Sequence, residues 1–301
     1  MNNMDLVSVV IPTYSRPDNL RRAIDSVLNQ TYPNIEIIIV DDNGIGTKYQ
    51  KMTEEAIKDY IVNQKVVYIK HKINKNGAAA RNTGLKHCHG TFVNFLDDDD
   101  VFDRNKIKYQ VELLETQLDY DASFCNTQIK YKHHVESTDC KESGNLVEQV
   151  LSGKISFNTS TVLFRKEVLD DLNGFDETFL RHQDWELYVR FFRKSRMVLA
   201  EQPLLVKYVT TTGVITKNPL KQVDYLEHFL RVYHDDFEKM DMKNSIYHFL
   251  YLSLANSLIY YKYYKEGFKY YKIASSYKDM KMSDFLKSFF VFLKSFCHLC
   301  I

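Results

Sequence analysis

The 301-residue sequence is short of several things, and each shortage closes off a class of protein. Forty basic against thirty-nine acidic side chains leave a formal net charge of +1, so a nucleic-acid partner held by bulk electrostatics is not expected. Five scattered cysteines are too few for a disulfide scaffold and fit a reduced, cytoplasmic chain. Cys297 and Cys300 form a CxxC, but no βαβ unit surrounds it and no second pair exists, so two thiols on an apolar tail are expected. No stretch of about 18 uncharged apolar residues occurs, which argues against a conventional transmembrane helix. The opening "MNNMDLVSVVIPTY" also lacks the charged start, long apolar core and small-residue cleavage site of a signal peptide. Of the five prolines the last is Pro219, and the chain beyond it reads as helical and rich in tyrosine.

What is present is an ordinary globular balance, 45% hydrophobic and 26% charged, on a length that suits one large domain or two unequal ones. The first hundred residues alternate between two periodicities. "LVSVVIPTY", "IEIIIVDD", "VVYIKH" and "TFVNFLDDDD" read as strands, the first two as continuous apolar runs of the kind buried on both faces. Between them, the segment after Pro17, "YQKMTEEAIKDYIVN" and "GAAARNTGLKHC" read as helices. Alternating strands and helices imply βαβ units and a mainly parallel sheet. From about 120 to 218 the pattern is less regular, with strand-like "ASFCNTQIKY" and "STVLFRKEV" and a helix from Trp185 to Arg193. The domains expected are 1–218, α/β, and 219–301, helical.

Polar residues gather where these strands end. Thr13 and Tyr14, Asp41 and Asp42, and Asp97, Asp98, Asp99 and Asp100 all follow apolar runs. In open α/β sheets ligands bind outside the carboxyl ends of the strands. Turn formation or helix capping explains "VDDNG" alone, but explains four consecutive, mutually repelling carboxylates poorly. Such a cluster suits a hard divalent cation, Mn2+ or Mg2+, that keeps waters and shares its coordination with substrate phosphates. A calcium ion bound alone is the competitor, yet the run lacks the spaced ligands and central glycine of a calcium loop.

"VSVVIPTYSRPDNLRRAIDSVLNQTYPNIEIIIVDD", "NKNGAAARNTGL", "GTFVNFLDDDDVF" and "GFDETFLRHQDWELYVR" resemble, in order and spacing over residues 6 to 210, the family 2 glycosyltransferases of bacterial cell-surface polysaccharide synthesis. The resemblance implies an inverting enzyme of GT-A fold, a Rossmann-like sheet flanked by helices, carrying here a C-terminal helical extension. It implies that Pro12 and Tyr14 line the nucleotide pocket, that Asp42, with Asp41, holds the base, and that Asn74, Gly77 and Arg81 complete the nucleotide site. Asp98 would touch the ribose and Asp99 would bind the metal; under the commoner spacing Asp97 and Asp99 form the DxD pair. Asp184 would be the general base, although it also suits a first-turn acid of the helix that follows. Where the family often has Glu-Asp, this chain has Gln183-Asp184. His182 and Trp185 adjoin the acceptor side.

A carboxylate accepting from a ring N3–H suits uracil or thymine, and guanine also offers a ring N–H; a UDP-sugar is the expected donor over a guanosine one, and a saccharide or lipid-linked saccharide hydroxyl the acceptor. Hexosyl or N-acetylhexosaminyl transfer is implied. No Gln-x-x-Arg-Trp follows, which argues against processive synthesis. A sugar-1-phosphate nucleotidyltransferase is the alternative, without a glycine-rich basic loop to support it, and a non-catalytic interaction protein is the third reading. In the C-terminal fifth, two helices about a turn near Glu266-Gly267 are expected. "MSDFLKSFFVFLKSFCHLCI" places phenylalanines and lysines on a final helix suited to a membrane surface, a homo-oligomer contact, or its own core. The expected location is cytoplasmic, peripheral at the inner face of the cell membrane.

Overall fold

The computed structural model describes residues 4–209 and 218–297, with side chains as far as 293. The strands and helices run β1 Val7–Thr13, α1 Pro17–Leu28, β2 Ile35–Asp41, α2 Lys48–Ala56, α3 Lys58–Val62, β3 Val67–Lys70, α4 Gly77–Leu85, β4 Phe92–Phe95, β5 Asp100–Phe102 and α5 Lys106–Thr116. They continue as β6 Ala122–Lys130, β7 Val135–Ser137, α6 Val147–Leu151, β8 Leu163–Arg165, α7 Lys166–Asp171, α8 Gln183–Phe191 and β9 Met197–Tyr208. Five helices follow: α9 Lys221–Val232, α10 His234–Glu238, α11 Lys243–Tyr260, α12 Tyr264–Tyr277 and α13 Met282–Cys297. By compactness the chain divides into Met1–Leu146 with Phe157–Thr211, and Val147–Ser156 with Thr212–Ile301. The segment 147–156, expected with the α/β part, thus groups with the helical part.

The first unit is one sheet in the order β3-β2-β1-β4-β8-β6-β9-β5, with β7 on β6. Strands β1, β2, β3 and β4 are mutually parallel, as their continuous apolar runs require: Val7, Val9, Val10 and Ile11 of β1 have no exposed surface. Beyond β4 the sheet becomes mixed, with β8 antiparallel to both β4 and β6, and β5 antiparallel to β9. The chain moves outward from β1 through β2 to β3 and then returns to place β4 on the other side of β1. Strand order therefore reverses between β1 and β4, and a crevice opens outside their carboxyl ends. Thr13 ends one of these strands and the aspartate run follows the other.

Several local expectations are corrected. The aspartates do not extend β4, which stops at Phe95; Asp97 to Asp99 form a turn, closed by the Asp100 N–H donating to the Asp97 carbonyl at 3.0 Å, and Asp100 opens β5. Aspartate is favoured at the first position of such a turn. The helix expected over 49–63 is broken at Ile57, whose backbone leaves the helical region between α2 and α3. "STVLFRKEV" is strand only at Leu163–Arg165, preceded by a 3-10 turn at Thr159–Thr161 and followed by α7.

Helix α4 lies directly on β1. A Cβ built at Gly84 would fall 2.2 Å from Val10 Cγ1, so only glycine permits this approach. Gly84→Ala is expected to cost about 1–3 kcal/mol by overpacking, measured by chemical denaturation.

In the second unit α11 and α12 form an antiparallel pair whose turn is at 261–263 rather than at Glu266-Gly267; Gly267 lies inside α12, close against Ile259 and the Ala255 carbonyl. Tyr247, Tyr251, Tyr270 and Tyr277 stack in this pair, Tyr247 and Tyr277 with centroids 4.8 Å apart. On α13, Met282, Phe285, Leu286, Phe289, Phe290 and Leu293 are between 42% and 73% exposed and recur at helical spacing, so one face is an open apolar stripe. Among the described residues, no helix is long and apolar enough to cross a membrane. The side chains of Lys294, Phe296, Cys297 and Cys300 lie outside the described residues.

Candidate active site

The turn after β4 offsets the repulsion of four adjacent carboxylates with cationic and hydroxyl partners, Arg16 being shared by Asp98 and Asp99. Asp97 accepts from Arg81 Nη2 at 2.7 Å, and its backbone N–H donates to Ser160 Oγ. Asp98, fully buried, accepts from Thr13 Oγ1 at 2.8 Å and pairs with Arg16 Nη2 at 2.8 Å. Asp99 meets Arg16 Nη1, and its carbonyl accepts from Arg22. Asp100, also buried, faces Lys207 Nζ at 3.5 Å and Asn158 Nδ2 at 3.3 Å. Burial pushes the Asp98 carboxyl up to about 7 in spite of Arg16 and Thr13. At Asp97 burial acts the same way, but Arg81 and Lys207 outweigh it and hold the group below the usual range.

The ends of β1 and β2 form the neighbouring wall. Tyr14 is half exposed at the end of β1, beside the partly buried Pro12. Asp41 is buried and accepts from both the Asn43 amide and its side chain, and from the Tyr68 hydroxyl. Asp42 is engaged by four donors: His71 Nδ1 (2.7 Å) and the Lys75 N–H (2.8 Å) on Oδ1, and Asn74 Nδ2 (2.8 Å) and the Asn76 N–H (2.9 Å) on Oδ2. Its carboxylate thereby pins the loop 71–76, which carries the exposed Asn74, and a base N–H would have to share an oxygen already bonded twice. His71 continues from Asp42 to the Thr83 hydroxyl on α4 at 2.8 Å.

Arg81 joins this wall to α8. Besides Asp97 it donates to Gln183 Oε1 at 3.1 Å, and it lies in the field of Asp184. A Cβ at Gly77 would sit 3.1 Å from both Arg81 Nη1 and Gln183 Oε1, which places Gly77 against the same pair. Gln183, where the family often has an acid, is therefore an amide acceptor for Arg81, and it anchors the start of α8 through Nε2 to the Phe179 carbonyl at 2.9 Å. Asp184 is the next residue. Burial raises its pKa, Arg81 opposes that and Asp97 adds to it. His182 takes a left-handed backbone (φ 61°) just before the helix, and its ring stacks on Trp185 with centroids 4.7 Å apart. Burial and Arg181 push the His182 imidazole down to about 4, so it is neutral.

The expected site residues thus lie at the carboxyl ends of β1, β2 and β4, on the loop 71–76 and α4 that follow β3, and at the start of α8, where Arg81 links Asp97 to Gln183. Sequence reasoning missed four participants: Arg16, Lys207, His71 and the role of Gln183. Arg16 had a signal, a cation two residues beyond Tyr14; Lys207 had none, since only the β9–β5 pairing brings it to Asp100.

Among the described residues, no three metal-ligating side chains converge on one point, so the protein alone builds no cage for a cation. The Asp99 side chain is 35% exposed, against 25% for Asp97 and none for Asp98 and Asp100, which makes it the most accessible carboxylate of the run. One protein carboxylate completed by diphosphate and water is the coordination that Mg2+ or Mn2+ commonly takes, and these residues fit it.

Acids at the strand reversal, with the carboxylate-bearing start of α8 tied to them through Arg81 and Gln183, make this edge the candidate active site. A family model described as glycosyl transferase family 2 matches residues 8–172, more than half of the sequence, and the chain belongs to that family. An uncharacterized glycosyltransferase of Rickettsia prowazekii is 29% identical over 288 residues, 92% of this chain and 86% of its own length. The amylovoran biosynthesis glycosyltransferase AmsB of Erwinia amylovora is 28% identical over 222 residues, 68% of this chain and 70% of its own. Among solved structures, S. aureus TarS 1-349 in complex with UDP-GlcNAc superposes with a TM-score of 0.65 at 16% identity, covering 96% of this chain and 81% of that one. The mannosyltransferase PcManGT of Pyrobaculum calidifontis, in complex with GDP-Man and Mn2+, gives 0.61 at 15% identity over 98% and 85%. The fold is GT-A, and the chain is a glycosyltransferase.

Proposed function

We propose that this glycosyltransferase moves a sugar, hexosyl or N-acetylhexosaminyl, from UDP to a hydroxyl of a saccharide or lipid-linked saccharide in surface polysaccharide synthesis, with inversion and with a divalent cation. The observation that carries it is the Arg81 bridge, which sets a donor-side carboxylate, Asp97, and an acceptor-side carboxylate, Asp184, around one guanidinium. Asp184, with its raised pKa, is suited to take the proton of the attacking hydroxyl, because a base works best with a pKa near the operating pH. Asp97 is tied to Arg81 and is unsuited to act as a nucleophile, so a single displacement at the anomeric carbon needs no covalent sugar on the protein. Tyr14 offers an exposed ring to the base and Asn74 an exposed amide, while Asp42 holds the loop that carries Asn74. A divalent cation on Asp99 would supply electrostatic stabilisation of the departing diphosphate. The UDP assignment is supported by TarS and the polysaccharide assignment by AmsB.

A thermal-shift panel of UDP, GDP, dTDP and CMP, each with and without manganese, tests this reading. UDP with manganese should give the largest stabilisation; a larger shift with GDP would overturn the donor assignment, and equal shifts without manganese the metal.

The open stripe of α13 supports a peripheral membrane contact that would bring the enzyme to a lipid-linked acceptor. Deleting the chain after Ser283 should raise the soluble fraction and reduce transfer to a lipid-linked acceptor, while donor hydrolysis is kept. An unfolded product would make the segment core, and a shift from dimer to monomer would make it a subunit contact.

A further inference from the structure

The assignment of Asp99 as a cation ligand leaves Arg16 unexplained, because its guanidinium already stands on that carboxylate. Arg16 is the last residue before α1, in a turn that reverses through Ser15 at φ 59°. Its fork spans two acids: one nitrogen reaches Asp98 at 2.8 Å and the other reaches Asp99. The two acids differ in exposure. Asp98 has no exposed side-chain surface and is fixed by Thr13, whereas the Asp99 side chain is 35% exposed and that of Arg16 is 42% exposed. The contact with Asp99 is therefore the one that can open while the contact with Asp98 holds.

A divalent ion and a guanidinium cannot both take full advantage of one carboxylate, since like charges a few ångströms apart repel strongly where water is scarce. Other cations already crowd the turn: Lys207 acts on Asp97, Asp99 and Asp100, and Arg81 holds Asp97. A metal arriving alone adds two positive charges to this set. A nucleotide diphosphate arriving with it removes that excess and offers phosphate oxygens, for which an arginine fork is the matching donor.

We propose that Arg16 is an exchangeable counter-ion of Asp99, displaced by the divalent cation and taken over by the donor diphosphate, so that metal and nucleotide bind as an interdependent pair. This rests on the metal-dependent UDP reading above. Arg16 is on this account a positioning residue that makes the affinity for each partner depend on the other, a coupling that is reciprocal by linkage.

The test is Mn2+ binding, read from the electron-paramagnetic-resonance signal of the free ion, with and without UDP. In the unmodified protein Mn2+ alone should bind weakly and UDP should tighten it. Arg16→Gln should tighten Mn2+ alone by at least about fivefold, the lower end of ordinary coupling, and shrink the further gain on adding UDP by a similar factor. Arg16→Lys, which keeps the charge and loses the fork, should fall between the two and serves if the glutamine variant folds poorly. Asp99→Asn combined with Arg16→Gln should lose the gain, locating it at Asp99. Unchanged or weaker Mn2+ binding by Arg16→Gln, beside normal UDP-dependent binding in the unmodified protein, overturns the role of Arg16 alone. Absence of UDP-dependent Mn2+ binding in the unmodified protein overturns the metal reading and this proposal with it.

Discussion

Asp184→Asn should lower sugar transfer by about a hundred- to ten-thousand-fold, the usual contribution of a positioned general base. The substitution keeps the shape of the side chain in the first turn of α8 and removes its charge and proton-accepting ability. Affinity for UDP with manganese should change far less, because the α8 residue that Arg81 bonds is Gln183, and Asp184 is proposed to face the acceptor. Stability should shift by no more than the loss of a typical cap, about 1 kcal/mol. Burial raises the Asp184 pKa, so its charge costs folding free energy above the ordinary carboxylate range, and asparagine removes that cost. Near-normal transfer by the variant would sink the assignment; so would a loss of transfer matched by an equal loss of UDP binding, which would make Asp184 a donor-side or structural residue.

The same shift has a pH consequence. A base must be ionised to accept a proton, and a raised pKa moves the loss of ionisation to higher pH. Transfer at saturating donor should therefore begin to fall with acidification above the pH expected of an exposed aspartate, about 4. An acid limb at or below that value would contradict the raised pKa of Asp184.

Asp99→Asn should abolish metal-dependent transfer and remove the manganese dependence of UDP binding, with little effect on folding. Its neighbours should behave differently. Asp98→Asn disturbs a buried group held by Thr13 and Arg16, and Asp97→Asn releases Arg81, so both should perturb the thermal midpoint as well as activity. Isothermal titration of UDP with and without Mn2+ separates these cases. If Asp99→Asn keeps normal, manganese-dependent activity while Asp97→Asn loses it, the cation ligand is Asp97 and the register of the acidic run is shifted.

The parallel half of the sheet was legible because its determinants are local. The apolar runs of β1 and β2 follow from residues that neighbour one another in the chain, and each run leads to polar residues at one edge. The family motifs were legible for the same reason. The antiparallel half was harder to read: β5 and β8 are three residues each, too short for any period to emerge, and their place depends on partners far along the chain.

The sequence by itself therefore determined a βαβ nucleotide fold, an acidic run behind its fourth strand, and an acid before an amphipathic helix. Tertiary structure alone decided what each acid contacts. Arg16 reaches Asp99 across 83 positions, Thr13 reaches Asp98 across 85, and Arg81 reaches Gln183 across 102. The contacts of the "VDD" acids were not legible either: Asp41 meets Asn43 and Tyr68, and the loop 71–76 returns to place four donors on Asp42. A carboxylate's chemistry depends on the few ångströms around it, where burial, charge and donors act. Those surroundings come from segments that only the reversal of strand order at β1 brings together.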